Sequence, residues 1–123
     1  MNSVTQQTVL FVDDDKHWRD RVSGCLAEAG FDVLAASDGS EAMRKAAGSS
    51  LGLMIVADDL AGESGVMLTR FLRRNHPGVP ALLYTSNRQD PPGTPDRISH
   101  GADRCLPKGS MTDLLANVAY YVT

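Results

Sequence analysis

The strongest constraint in this sequence is an alternation: short, almost unbroken apolar runs are separated by longer segments whose apolar residues recur at helical spacing. The runs are Val9–Val12, Val33–Ala36, Leu53–Ala57, Ala81–Tyr84 and Cys105–Leu106. A strand with one wet face alternates apolar and polar residues, whereas a strand of a parallel sheet is covered on both faces and is apolar throughout. The runs therefore predict five parallel strands.

Between the first two runs, Trp18, Val22, Cys25, Leu26 and Ala29 form a helical stripe closed by Gly30. Asp38-Gly-Ser-Glu41 has the spacing of a capping box ahead of Ala42, Met43, Ala46 and Ala47. Met67, Leu68, Phe71 and Leu72 form a third stripe behind a Ser64 cap, and Leu114, Leu115, Val118 and Val122 another behind Ser110. The third stops before His76-Pro77-Gly78, because the residue before a proline is pushed out of the helical region. Right-handed crossovers and short loops then leave a doubly wound, flavodoxin-like α/β fold: (βα)5, a five-stranded parallel sheet in order 2-1-3-4-5 with helices on both faces. One segment opposes a long helix, Asp90-Pro-Pro-Gly-Thr-Pro95, since an interior proline costs ~3 kcal/mol. The helix between the fourth and fifth strands is therefore expected to be short, capped by Thr94 with Pro95 at its first position and ending near His100.

A chain of 123 residues fits one domain, residues 1–123, that buries a core without staples. The polar residues Met1–Gln7 are expected to form a disordered tail. Hydrophobic residues at 42% and charged residues at 22% exclude a disordered class. A net charge of −3 gives no general attraction to nucleic acid or to an anionic membrane, so neither is expected as a partner. Arg70, Arg73 and Arg74 read as a solvated helix face. No apolar run is long enough to span a bilayer, and the first residues lack a secretory h-region. Cys25 and Cys105 lie far apart without zinc or disulfide spacing, which points to a reducing, cytoplasmic setting.

Open α/β sheets bind ligands beyond the carboxyl ends of their strands. The sequence places Asp13, Asp14 and Asp15 after the first strand, Asp58 and Asp59 after the third, Thr85 and Ser86 after the fourth, and Lys108 after the fifth. Carboxylates ~4 Å apart repel by roughly 4 kcal/mol at an effective dielectric of ~20, so such a crevice calls for protons or a cation, and magnesium suits oxygen ligands. Equally, Asp13 to Asp15 fit helix caps at about 0.5–2 kcal/mol, Lys108 a solvated lysine and Thr85 a loop hydroxyl. Spacing alone leaves the two readings level.

The segments VLFVDDD (Val9–Asp15), DGSEAM (Asp38–Met43), YTSN (Tyr84–Asn87) and GADRCLPK (Gly101–Lys108), in that order, resemble the receiver domain of two-component response regulators. The resemblance covers nearly the whole chain and implies a phosphorelay signalling module rather than an enzyme. In that family a histidine kinase donates a phosphoryl group to an aspartate at the end of the third strand. Asp13 and Asp14 resemble the acidic magnesium pair, with the backbone of Asp59 as a further ligand. Thr85 resembles the hydroxyl that contacts the phosphoryl group, and Lys108 the lysine that pairs with it. The partners implied are a histidine kinase or an output domain, and a homodimer is open to such a domain.

The family's third-strand motif runs aspartate, two variable residues, a large apolar residue, proline, three more residues and glycine. Ala57-Asp58-Asp59-Leu60-Ala61-Gly62-Glu63-Ser64-Gly65 fits it without a gap, so the phosphoacceptor aligns with Ala57. Ala61 and Gly109 stand where the family has prolines, and Cys105 where it has tyrosine or phenylalanine. A methyl group can neither attack phosphorus nor ligate magnesium. The expectation is an atypical, phosphorylation-independent interaction module with magnesium weak or absent. Asp58 is the fallback acceptor, although strand alternation aims it away from the crevice unless the strand ends early or bulges. Two alternatives also stand: a conventional receiver whose aspartate was replaced by Ala57 through engineering, and a nucleotide or flavin binder, in which the three aspartates after strand one would repel phosphate.

Overall fold

The computed structural model describes residues 8–85 and 102–122. The first apolar run becomes β1 (Thr8–Val12), paired in parallel with β2 (Asp32–Ala36) on one edge and β3 (Leu51–Ala57) on the other. The strand β6 (Ala81–Thr85) joins β3, and β7 (Arg104–Pro107) joins β6, both in parallel. The sheet order is β2-β1-β3-β6-β7. This is the expected 2-1-3-4-5 order, because a small unforeseen hairpin, β4 (Asp59–Leu60) with β5 (Glu63–Ser64), takes two numbers in between. The inner strands β1, β3 and β6 are buried nearly throughout, while β2 and β7 at the sheet edges show exposed residues, as double coverage requires.

Alternation of side chains splits the interior into two layers. Leu10, Val12, Met54 and Val56 face one way, onto Ala42 and Ala46 of α2 (Gly39–Ala47) and Leu68 and Leu72 of α3 (Gly65–Asn75). Val9, Phe11, Leu53, Ile55 and Tyr84 face the other way, onto Val22 and Leu26 of α1 (Lys16–Glu28) and Leu114 and Val118 of α4 (Met111–Val122). Among the described residues no helix is long and apolar enough to cross a membrane.

Two local expectations need correction. Asp38 caps α2 by accepting from the Glu41 N–H at 2.8 Å, but Glu41 does not return the bond to residue 38. Its carboxylate instead accepts from the backbone and side chain of Ser37, at 2.7 and 3.0 Å. The box is therefore open by one residue. On α3, Ser64 caps as expected, but only Leu68 and Leu72 of the predicted stripe are buried. Met67 and Phe71 are 58% and 42% exposed. Gly65 sets this rotation: a Cβ there would overlap the Ala57 carbonyl, so the helix start lies directly on the end of β3 and turns residues 65, 68, 69 and 72 inward. The expected tail Met1–Gln7 and the short helix from Thr94 lie outside the described residues.

Candidate functional site at the strand ends

The three aspartates after β1 part company. Asp15 caps α1, accepting from the Trp18 N–H at 3.2 Å. Asp13 is fully buried; one oxygen accepts from the Asp15 N–H at 3.0 Å and the other lies 2.7 Å from the Lys108 ammonium. Asp14 is exposed and accepts from the Ala61 N–H at 2.9 Å, beyond the end of β3. Capping thus describes Asp15, whereas Asp13 and Asp14 turn to Lys108 and Ala61.

Lys108 arrives by way of β7: its own N–H donates to the Thr85 carbonyl at 2.7 Å, and its side chain crosses the sheet end to Asp13. Thr85, at the end of β6, is 6% exposed. The ammonium also stands over two rings that the sequence reading did not assign to the site, 5.6 Å from the centre of Tyr84 and 5.9 Å from that of Trp18. Such contacts add about 0.5–2 kcal/mol each where water is excluded. Trp18 meets Tyr84 edge to face, and Tyr84 meets Phe11 the same way. Burial pushes the Tyr84 phenol up to about 12, the Asp13 charge adds to the shift, and the Gly109 backbone opposes it. The available signal was an aromatic residue directly before Thr85, on a strand whose alternation turns it toward α1.

Both proline departures have structural consequences. Proline at position 61 would have no N–H, so the bond that holds Asp14 depends on Ala61. Gly109 has φ of +142°, a value closed to proline and strained for any residue with a Cβ, so the chain leaves Lys108 by a path a proline could not take. Cys105 is buried beside Leu83 and Ala102, on the sheet face opposite Tyr84.

Ala57 is 1% exposed and ends β3 in unbroken register, opposite Tyr84 of β6. The Asp58 N–H donates to the Tyr84 carbonyl at 3.1 Å, and its carbonyl accepts from the Gly65 N–H at 3.2 Å. Asp59 is exposed in the hairpin, and Ser86 lies outside the described residues. Magnesium needs oxygen donors turned to a common point. Here Asp13 faces an ammonium, Asp14 faces a backbone N–H, and among the described residues no group of three acidic, histidine or cysteine side chains converges. That donor set does not fit a resident magnesium centre.

Comparison with known proteins identifies the family of this fold. The family model of the response regulator receiver domain matches residues 9–119. The protein PetR of Rhodobacter capsulatus is 35% identical over 111 residues, covering 88% of this chain and 45% of PetR. The transcriptional regulatory protein YrkP of Bacillus subtilis is 30% identical over 110 residues, covering 89% of this chain and 47% of YrkP. The chain thus spans less than half the length of either relative. Among solved structures, the chemotaxis protein CheY4 of Vibrio cholerae superposes with a TM-score of 0.85 at 27% identity, covering 94% of this chain and 98% of that one. The receiver domain of Francisella response regulator 1452 shares the fold at 22% identity, with a TM-score of 0.84 and coverage of 94% and 96%. The chain therefore belongs to the receiver domains of two-component response regulators.

Proposed function

We propose that this receiver domain works as a phosphorylation-independent protein-interaction module. The observation that carries the reading is Ala57: the position aligned with the family's phosphoacceptor holds a buried methyl group at the end of a strand whose register is intact. A register slip or bulge is what would bring Asp58 into the acceptor position, and β3 pairs with β6 through residue 57 without one. The surrounding charges support the same reading. Lys108 pairs with Asp13 and the Ala61 N–H donates to Asp14, so both carboxylates of the expected metal pair already have partners. Magnesium binding is accordingly weak. As in the rest of the family, the partners are a histidine kinase or an output domain, and the setting is cytoplasmic.

The test is intact mass after treatment with acetyl phosphate and magnesium. The wild-type chain gains no phosphoryl mass, whereas Ala57→Asp gains one that hydroxylamine removes, since Asp13, Asp14, Thr85 and Lys108 keep the residue types that the family resemblance assigns to this chemistry. A wild-type chain that gains the mass and loses it in Asp58→Ala would make the domain a conventional receiver and overturn the reading.

A further inference from the structure

An exposed apolar ridge lies away from the strand ends. On α3, Val66 packs against the cluster of Leu83, Ala102 and Cys105, and Arg73 pairs with Asp103 at 3.0 Å, so residues 66 and 73 mark the flank turned toward β7. Met67, Phe71 and Asn75, spaced four apart, form a single ridge on the opposite flank. The Asn75 amide donates to the Phe71 carbonyl at 3.1 Å along that ridge. On α2, Lys45 donates to the Ala35 carbonyl of β2, so Met43 and Ala47 lie on the flank away from β2, toward α3. The two flanks meet in a cavity of about 280 Å³ lined by Met43, Ala47, Leu72, Asn75 and His76. Met43, 36% exposed, lines this cavity, and the ridge of Met67 and Phe71 reaches its edge through Asn75.

The groove has a charged rim. Arg44 stands one step outward from Met43 on α2, and Arg70 and Arg74 stand outward from Met67 and Phe71 on α3. Arg70 leans back over the ridge, with Nη1 at 3.8 Å from Met67 Sδ. None of the three arginines is ion-paired among the described residues, in a chain whose net charge is −3. Asp38, Glu41 and Glu63 sit at the other end of α2; Asp38 and Glu63 accept from backbone N–H groups of its first turn, and Glu41 accepts from Ser37 and pairs with Lys45.

We propose that the groove between α2 and α3 docks an acidic amphipathic helix of a partner protein, apolar side chains in the slot and carboxylates against Arg44, Arg70 and Arg74. Charge complementarity selects the sign of the partner. Two helices on one sheet face leave no open strand edge between them, so the occupant packs as a helix in a groove rather than as an added strand. Thioethers and one ring make such a surface adaptable. This deepens the interaction-module reading and rests on it, but its test does not involve position 57.

The probe is a fluorescent amphipathic peptide of about 18 residues with leucine and phenylalanine on one face and glutamate on the other, set against its lysine-for-glutamate twin. Anisotropy titration of the 123-residue chain shows binding of the acidic peptide in the micromolar range, weakened at least ~10-fold by Phe71→Ala and by raised salt. Arg70→Glu combined with Arg74→Glu reverses the preference to the lysine twin. Amide chemical shifts confirm that each variant is folded and place the perturbation on α2 and α3. Equal binding of the twins, indifference to Phe71→Ala, or binding confined to phosphatidylglycerol vesicles would each overturn the proposal. Because neither peptide experiment uses phosphoryl transfer, its failure is distinct from a failure of the reading of Ala57.

Discussion

The two faces of the sheet end in different ways at the functional edge. On the side of α1 and α4, Phe11, Tyr84 and Trp18 stack ring against ring up to the Lys108 ammonium, which closes on Asp13. On the side of α2 and α3 the same edge holds the Ala57 methyl, Leu60 and Leu68, and the neighbouring cluster at Cys105 contains no ring. The aromatic bulk that the family resemblance leads one to expect at position 105 is absent there, while another ring is buried at position 84 on the opposite face. Rings beneath Lys108 steady the cation that neutralises Asp13, whereas small groups at Ala57 and Cys105 leave little to swing. Under the proposed function, the difference would suit a crevice that holds one charge state.

Truncation on each face separates the two sides most strongly. Tyr84→Ala removes a buried ring with two aromatic neighbours and is expected to lose about 4 kcal/mol in urea unfolding, against about 1 kcal/mol for Cys105→Ala. Equal losses would dissolve the contrast. Tyr84→Phe sharpens it: the folded phenol titrates near 12 rather than the ordinary 10, so wild-type stability falls as pH rises from about 10 toward 12, and the variant lacks that fall.

Next in size is Lys108→Met. It leaves the fully buried Asp13 without its cation and is expected to lose about 3 kcal/mol. Most of the loss returns when Asp13→Asn is added, because the uncompensated charge is then gone; thermal unfolding of the single and double variants decides. A smaller effect is expected from magnesium. With a dissociation constant in the millimolar range, ~10 mM ion raises stability by less than about 1.5 kcal/mol. Micromolar binding by calorimetry would mean that the carboxylates leave Lys108 and Ala61 for the metal.

The smallest effect belongs to the α2 face. The Ser37 N–H and hydroxyl, with Lys45 beside them, hold the Glu41 carboxyl down at about 2 instead of 4.5. The folded chain thus binds fewer protons than the unfolded chain between these values. The stability is fully present above about 4.5 and lost as pH falls toward 2. Glu41→Gln should flatten that acid limb while leaving the alkaline limb of Tyr84 intact.

The five strands, their parallel pairing and the helix starts at Asp38, Ser64 and Ser110 are legible in the amino-acid order, because these depend on short-range patterns: unbroken apolar runs, helical spacing and a side-chain oxygen ahead of a helix. So is the methyl group at position 57. Which way α3 turns depends on how it packs. Met67 with Phe71 and Leu68 with Leu72 are neighbouring stripes of equal apolarity, and periodicity cannot rank them; the close seat of Gly65 on the Ala57 carbonyl does. Packing likewise decides the separate fates of Asp13, Asp14 and Asp15. Their partners Lys108, Ala61 and Trp18 lie at very different distances along the chain, and a carboxylate's choice among such donors is made by which strand ends the sheet brings together.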